Sequence, residues 1–177
     1  MLPEEALEAS SGSITVHPMP TDVGELLRQS VGEYEDRFAA SKLTPVLNLP
    51  TEPLVVMGDG RLLWRVFDNL LNNICKYSQT GTRVYLDASL VGSTAHISMK
   101  NISRDYLNVT ADALVERFVR GDSSRTSEGS GLGLSIAQSL TELQGGAFKL
   151  FVDGDLFKAV LDFPLARKSD WGAVEIE

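Results

Sequence analysis

The stretch that most constrains the fold is residues 61–78, RLLWRVFDNLLNNICKYS. At about 100° per residue, with Asn69 set at zero, Asn73, Lys76, Asn72 and Arg65 fall within roughly 60° of it. Leu70, Leu63, Ile74, Phe67, Leu71 and Trp64 occupy the opposite half, with Val66 and Tyr77 at its edge. A helix so divided must lay its apolar half on a broad hydrophobic layer. Solvated helix faces usually carry Glu, Lys and Arg, whereas this polar side holds three asparagines, which are mediocre helix formers. Two explanations fit: the amides cap neighbouring loops, or they serve as neutral oxygen ligands for Mg²⁺ beside waters and phosphates. In the second, Lys76 adds a positive charge beside the same phosphates.

The rest of the chain supplies that layer. Behind the N-capping residues Thr21 and Asp22, VGELLRQSVGEYEDRFAAS aligns Val23, Leu26, Leu27, Val31, Tyr34 and Phe38 along one stripe, predicting a single first helix. Two extended runs, TPVLNL and PLVVM, precede the helix opened by Gly58-Asp59-Gly60. RVYLDASLV and TAHISMKNI alternate around Gly92-Ser93 and predict a hairpin, as do the two halves of AFKLFVDGDLFKAVLDF around Asp153-Gly154. ADALVERF predicts a short helix, VRGDSSRTSEGSG a loop, and LGLSIAQSLTEL a long helix capped by Gly145-Gly146. The expected fold is α+β: a two-layer α/β sandwich whose mixed, mainly antiparallel sheet carries three helices on one face.

SEGSGLGLSIAQSL places Gly129, Gly131 and Gly133 at alternate positions directly before and within the start of that last helix. Glycine lets another group approach the backbone, and a helix start presents unpaired N–H donors at the positive end of the macrodipole. Such a place suits a phosphate, although a tight turn feeding a helix has the same sequence. With 24 acidic and 16 basic residues the formal charge is −8, so neither nucleic acid nor a membrane surface is an expected partner. Phosphate must then be held by local geometry. Cys75 is the only cysteine, which excludes an internal disulfide and fits a cytoplasmic location. It falls on the apolar half of its helix and reads, like Trp64, as packing.

DNLLNNICKYS resembles the N box, ERFVRGDSSR the F box and EGSGLGLSIAQSL the second glycine box of the ATP-binding catalytic domain of sensor histidine kinases. The boxes stand in the family's order, and the resemblance covers about residues 20–164. It implies a Bergerat-type ATP-binding fold, with ATP and Mg²⁺ as ligands. Asn73 would be the Mg²⁺ ligand, Asn69 and Lys76 would contact phosphates or metal, and Tyr77 would lie near the adenosine. Gly129, Gly131, Leu132 and Gly133 would bring backbone to the phosphates, and Arg120 and Arg125 would belong to a lid over the nucleotide. Phe118 is either a core anchor or a lid contact. Hydrolysing relatives carry a glutamate where Asn69 stands; its replacement by an amide fits transfer to an already nucleophilic imidazole.

One box departs from the pattern. Where the family has Asp-x-Gly-x-Gly, this chain has NISRD, with Asn101 for the adenine-binding aspartate and Ser103 for the first glycine. An amide oxygen can still accept from the adenine amine, with a loss of about 1 kcal/mol for the missing charge. The alternative is a degenerate domain serving as a regulatory or protein-interaction module. No phosphoacceptor stands out: His17 lies among prolines and His96 in a predicted strand. The expected organisation is a junction over 1–19, the catalytic domain over 20–165 and a tail over 166–177. The expected partners are an upstream dimerisation and phosphoacceptor domain, a response regulator and, in the full-length protein, a second copy. Such a protein can be anchored in the cell membrane, but this chain alone is not expected to autophosphorylate.

Overall fold

The computed structural model describes residues 14–105 and 132–171. The expected helix ADALVERF and loop VRGDSSRTSEGSG, with Arg120, Arg125, Gly129 and Gly131, lie outside the described residues. The elements are β1 (Met19–Asp22), α1 (Val23–Glu33), α2 (Glu35–Ala40), β2 (Thr44–Asn48), β3 (Val55–Gly58), α3 (Gly60–Tyr77), β4 (Arg83–Val91), β5 (Thr94–Ile102), α4 (Leu132–Leu143), β6 (Ala147–Asp153), β7 (Leu156–Pro164) and α5 (Lys168–Trp171).

Five strands form one sheet in the order β2-β4-β5-β7-β6, antiparallel except for the β2–β4 pair. The parallel pair needs a crossover, and α3 lies within it. Both predicted hairpins are present, the first turning at Gly92-Ser93 as expected and the second one residue later than expected, at Gly154-Asp155. Strand residues alternate in burial: Val84, Leu86, Ile97, Met99, Ala159, Leu161 and Phe163 face inward. They share a single core with Val23, Leu27 and Val31 of α1, Leu63, Val66, Phe67, Leu70 and Leu71 of α3, and Leu134, Ala137 and Leu140 of α4. The two-layer arrangement inferred from the sequence is therefore the observed one. On the outer face the exposed rings of Tyr85 and Phe151 are covered by Lys100 and Lys158, whose Nζ atoms lie 5.2 and 5.6 Å from the ring centres.

One expectation needs correction. The stripe from Val23 to Phe38 is not one helix: the chain breaks at Tyr34, where φ is −98° and ψ 3°. After the break Glu35 and Asp36 fall in the first turn of α2, where they face its positive pole. Residues 14–19 are also part of the packed structure. Met19 pairs with Gly58 in a separate antiparallel ribbon of β1 and β3, and Ile14 and Val16 pack on the core. At the other end, Ala166 N–H donates to the Val55 carbonyl at 2.8 Å.

Asp59 begins α3. Its carboxylate accepts from the N–H groups of Arg61 and His17, both at 3.1 Å, so one side chain caps the helix and ties down the incoming chain. Burial alone would raise its pKa, but the bonds from His17, Leu62 and Arg61 outweigh it and hold the carboxyl below its usual value. A lowered folded pKa contributes stability above the unfolded value and loses it as pH falls through the folded one. Asp59→Ala is expected to cost about 1–2 kcal/mol near neutral pH, measured by urea unfolding. The gap to wild type should shrink in acid; a gap independent of pH would contradict this account.

Candidate functional site

α3 and α4 run side by side in opposite directions. Near the start of α3, Asp59 N–H donates to Oε1 of Gln144, just beyond the end of α4, at 2.9 Å. Midway along α3, Asn69 meets the first turn of α4: a Cβ added to Gly133 would lie 3.7 Å from the Asn69 carbonyl oxygen and 3.9 Å from its Cβ. The N-terminal end of α4 therefore opens toward the Asn73 to Tyr77 end of α3. The absence of a side chain at Gly133 keeps this approach close without forcing it, since an added methyl would make ordinary contact.

The asparagine side of α3 divides between two neighbours. Asn72 turns away from α4 and accepts from Arg37 Nη2 of α2 at 2.7 Å. Beside it, the Tyr34 hydroxyl donates to Asp68, 3.0 Å from its carbonyl and 2.5 Å from Oδ1. Burial, with the Asp68 carboxylate, raises the pKa of that hydroxyl and keeps it a donor. The Arg37 guanidinium lies 4.8 Å from the Tyr34 ring centre, so α2 clamps this edge of α3. Asn69 and Asn73 are left on the α4 side, half-buried, with Lys76 half-buried one turn beyond Asn72. Asn69 Nδ2 is fully buried and has no hydrogen-bond partner among the described residues. An unpaired buried amide donor costs about 1–3 kcal/mol, which a bound acceptor would recover.

A second unpaired amide atom lies at the far end of α3. Asn101, on the inner side of β5 and 3% exposed, donates from Nδ2 to the Ser78 hydroxyl at 2.8 Å. Its Oδ1 is buried without a partner. Ser78 is the C-cap of α3, its N–H bonded to the Ile74 carbonyl, and it bridges to Ser103. Ser103, which stands for the family's first glycine, donates its N–H to the Asp155 carbonyl at 2.7 Å and accepts from Asp105 N–H at 3.3 Å. Tyr77 is half-buried; its carbonyl accepts from Arg104 N–H at 2.9 Å, and the Arg104 guanidinium lies 5.9 Å from its ring centre. Ser78 and Arg104 were not among the candidates because both contacts join segments distant in sequence.

The nine steps from Asn69 to Ser78 rise about 13 Å along the helix. A buried donor thus marks one end of this interval and a buried acceptor the other. Among the described residues no group of three or more His, Cys, Asp or Glu could hold a metal ion. His96 sits on the opposite face of β5 from Asn101, its Nδ1 2.6 Å from Asp162 Oδ1. His17 is exposed beside the start of α3.

Residues 58–167 match the model of the family described as histidine kinase-, DNA gyrase B- and HSP90-like ATPase. The chain belongs to this family. It is 30% identical over 140 residues to the signal transduction histidine-protein kinase BaeS of Escherichia coli, covering 78% of this chain and 30% of that protein. With the sensor protein VanS of Enterococcus faecium it shares 34% over 139 residues, 76% of this chain and 35% of the other. It thus spans about a third of the length of each. The fold is that of the catalytic domain of the histidine kinase ThkA, with a TM-score of 0.72 at 18% identity over 84% of this chain and 96% of the other. Within this family the chain carries the histidine kinase type of ATPase domain. Among the described residues no helix is long and apolar enough to cross a membrane.

Proposed function

We propose that this chain binds Mg-ATP between α3 and α4 and donates the γ-phosphate to a histidine on a dimerisation domain of a longer two-component sensor. The observation that carries this is the pair of orphaned buried amide atoms, a donor at Asn69 on α3 and an acceptor at Asn101 on β5, the latter held against Ser78 at the C-cap of α3. A nucleoside triphosphate is complementary to both ends, offering anionic oxygens at one and an exocyclic amine at the other. In this reading Asn73 holds Mg²⁺, Asn69 and Lys76 contact phosphate or metal, and Tyr77 and Asn101 receive the base. Leu132 and Gly133 bring the first turn of α4 to the phosphates, continuing Gly129 and Gly131, and Arg120 and Arg125 close over the nucleotide. ATP supplies the phosphoryl group; the protein's part is orientation and charge neutralisation.

The domain organisation follows the same reading. Dimerisation, the phosphoacceptor histidine and response-regulator docking belong to the longer protein, with the described segment as its cytoplasmic catalytic unit. A melting curve of the chain with Mg-ATP, with ATP plus chelator, and with buffer alone provides the test. A rise in Tm of several degrees that requires both metal and nucleotide is expected. No shift with either nucleotide form would leave the interaction-module alternative in its place.

A further inference from the structure

The contact between Asn101 and Ser78 has a property that a carboxylate at the same place would lack. A primary amide carries a donor and an acceptor on one carbon, and a hydroxyl serves as either partner by rotating its proton. The observed arrangement has Nδ2 donating to Ser78 Oγ at 2.8 Å, leaving Oδ1 unpaired and buried. Turning the amide by half a revolution gives the mirror arrangement, in which Ser78 donates to Oδ1 and Nδ2 is left unpaired. One neutral hydrogen bond replaces another, so the two states differ little in energy.

We propose that Asn101 and Ser78 form a reversible reader of the purine 6-position, so that the site accepts 6-oxopurine nucleotides as well as 6-aminopurine nucleotides. This rests on the placement of the base at Asn101 given above. With Oδ1 left over, the pair accepts from a 6-amino group; with Nδ2 left over, it donates to a 6-oxo group. An ionised aspartate offers only acceptors and would oppose its lone pairs to a 6-oxo oxygen. Burial sharpens the difference, because a mismatched polar group here cannot turn to water: Asn101 is 3% exposed and Ser78 8%. Ser78 has no other side-chain partner among the described residues and is held by its backbone in the C-cap and the bridge to Ser103. Its hydroxyl is free to follow either amide orientation.

Calorimetric titration of the full 177-residue chain with Mg-ATP and Mg-ITP tests this. Inosine triphosphate changes the 6-position without adding the 2-amino group of guanine. Wild type is expected to bind the two within about tenfold, and Asn101→Asp to widen the ratio to about a hundredfold or more through loss of ITP. A wild-type preference for ATP above about tenfold overturns the reader while leaving nucleotide binding intact. An unchanged ratio in a folded Asn101→Asp does the same. Failure to bind either nucleotide removes the nucleotide-binding reading and this inference with it. Should Asn101→Asp not fold, the wild-type ratio decides alone.

Discussion

Phe67→Ala is expected to remove about 3–5 kcal/mol of folding stability, about a fifth or more of what a domain commonly has in total. The ring is fully buried, on the side of α3 that faces the sheet, among the largest side chains of the core. Truncation leaves a cavity that Leu63 and Leu71, one turn away on either side, cannot collapse into without moving the helix. That helix also carries Asn69 and Asn73, so core and site share one rigid element. Urea unfolding at equilibrium measures the loss, with an unchanged m-value showing that compactness is retained. Nucleotide bound only to the folded state adds RT ln(1 + [L]/Kd). Mg-ATP at about a hundred times its Kd should therefore restore about 2.7 kcal/mol to the variant. A loss below about 1.5 kcal/mol would show that α3 is not packed as described.

What could be read from the sequence is what local periodicity encodes. The apolar half of α3 and the alternation of the two hairpins depend on neighbours one to four positions away, and both recur in the structure with limits shifted by at most about one residue. The rotational placement of Asn69 and Asn73 on a common side followed from the same rule. What periodicity does not encode is which neighbour each polar residue meets. Asn72 shares the asparagine side yet is drawn to Arg37, thirty-five positions earlier. Ser78 meets Asn101, twenty-three positions later. β1 was hidden for a similar reason: Pro20 within it and Pro18 just before it obscure a strand, and its pairing partner β3 lies far along the chain. The break at Tyr34 preserves the apolar stripe, so counting apolar positions does not find it.

Asn73→Ala is expected to weaken Mg-ATP binding at least about tenfold and to leave metal-free ATP binding nearly unchanged, so that the variant loses the dependence on metal. The expectation follows from the proposed division of labour on α3. Asn73 is half-buried on the α4 side of the helix, and its amide oxygen is the neutral ligand a magnesium triphosphate can use beside its own phosphate oxygens. Asn69→Ala should behave differently. It removes a buried donor that lacks a protein partner, so the unliganded variant keeps or gains stability while both forms of ATP bind several-fold more weakly. Asn73→Asp restores an oxygen ligand but adds charge near the phosphates; it should recover metal dependence without recovering full affinity. Titrations with and without Mg²⁺, on variants whose unfolding curves match wild type, separate these outcomes. Metal dependence that survives in Asn73→Ala would move the magnesium site off this residue and require another oxygen ligand on the same side of α3.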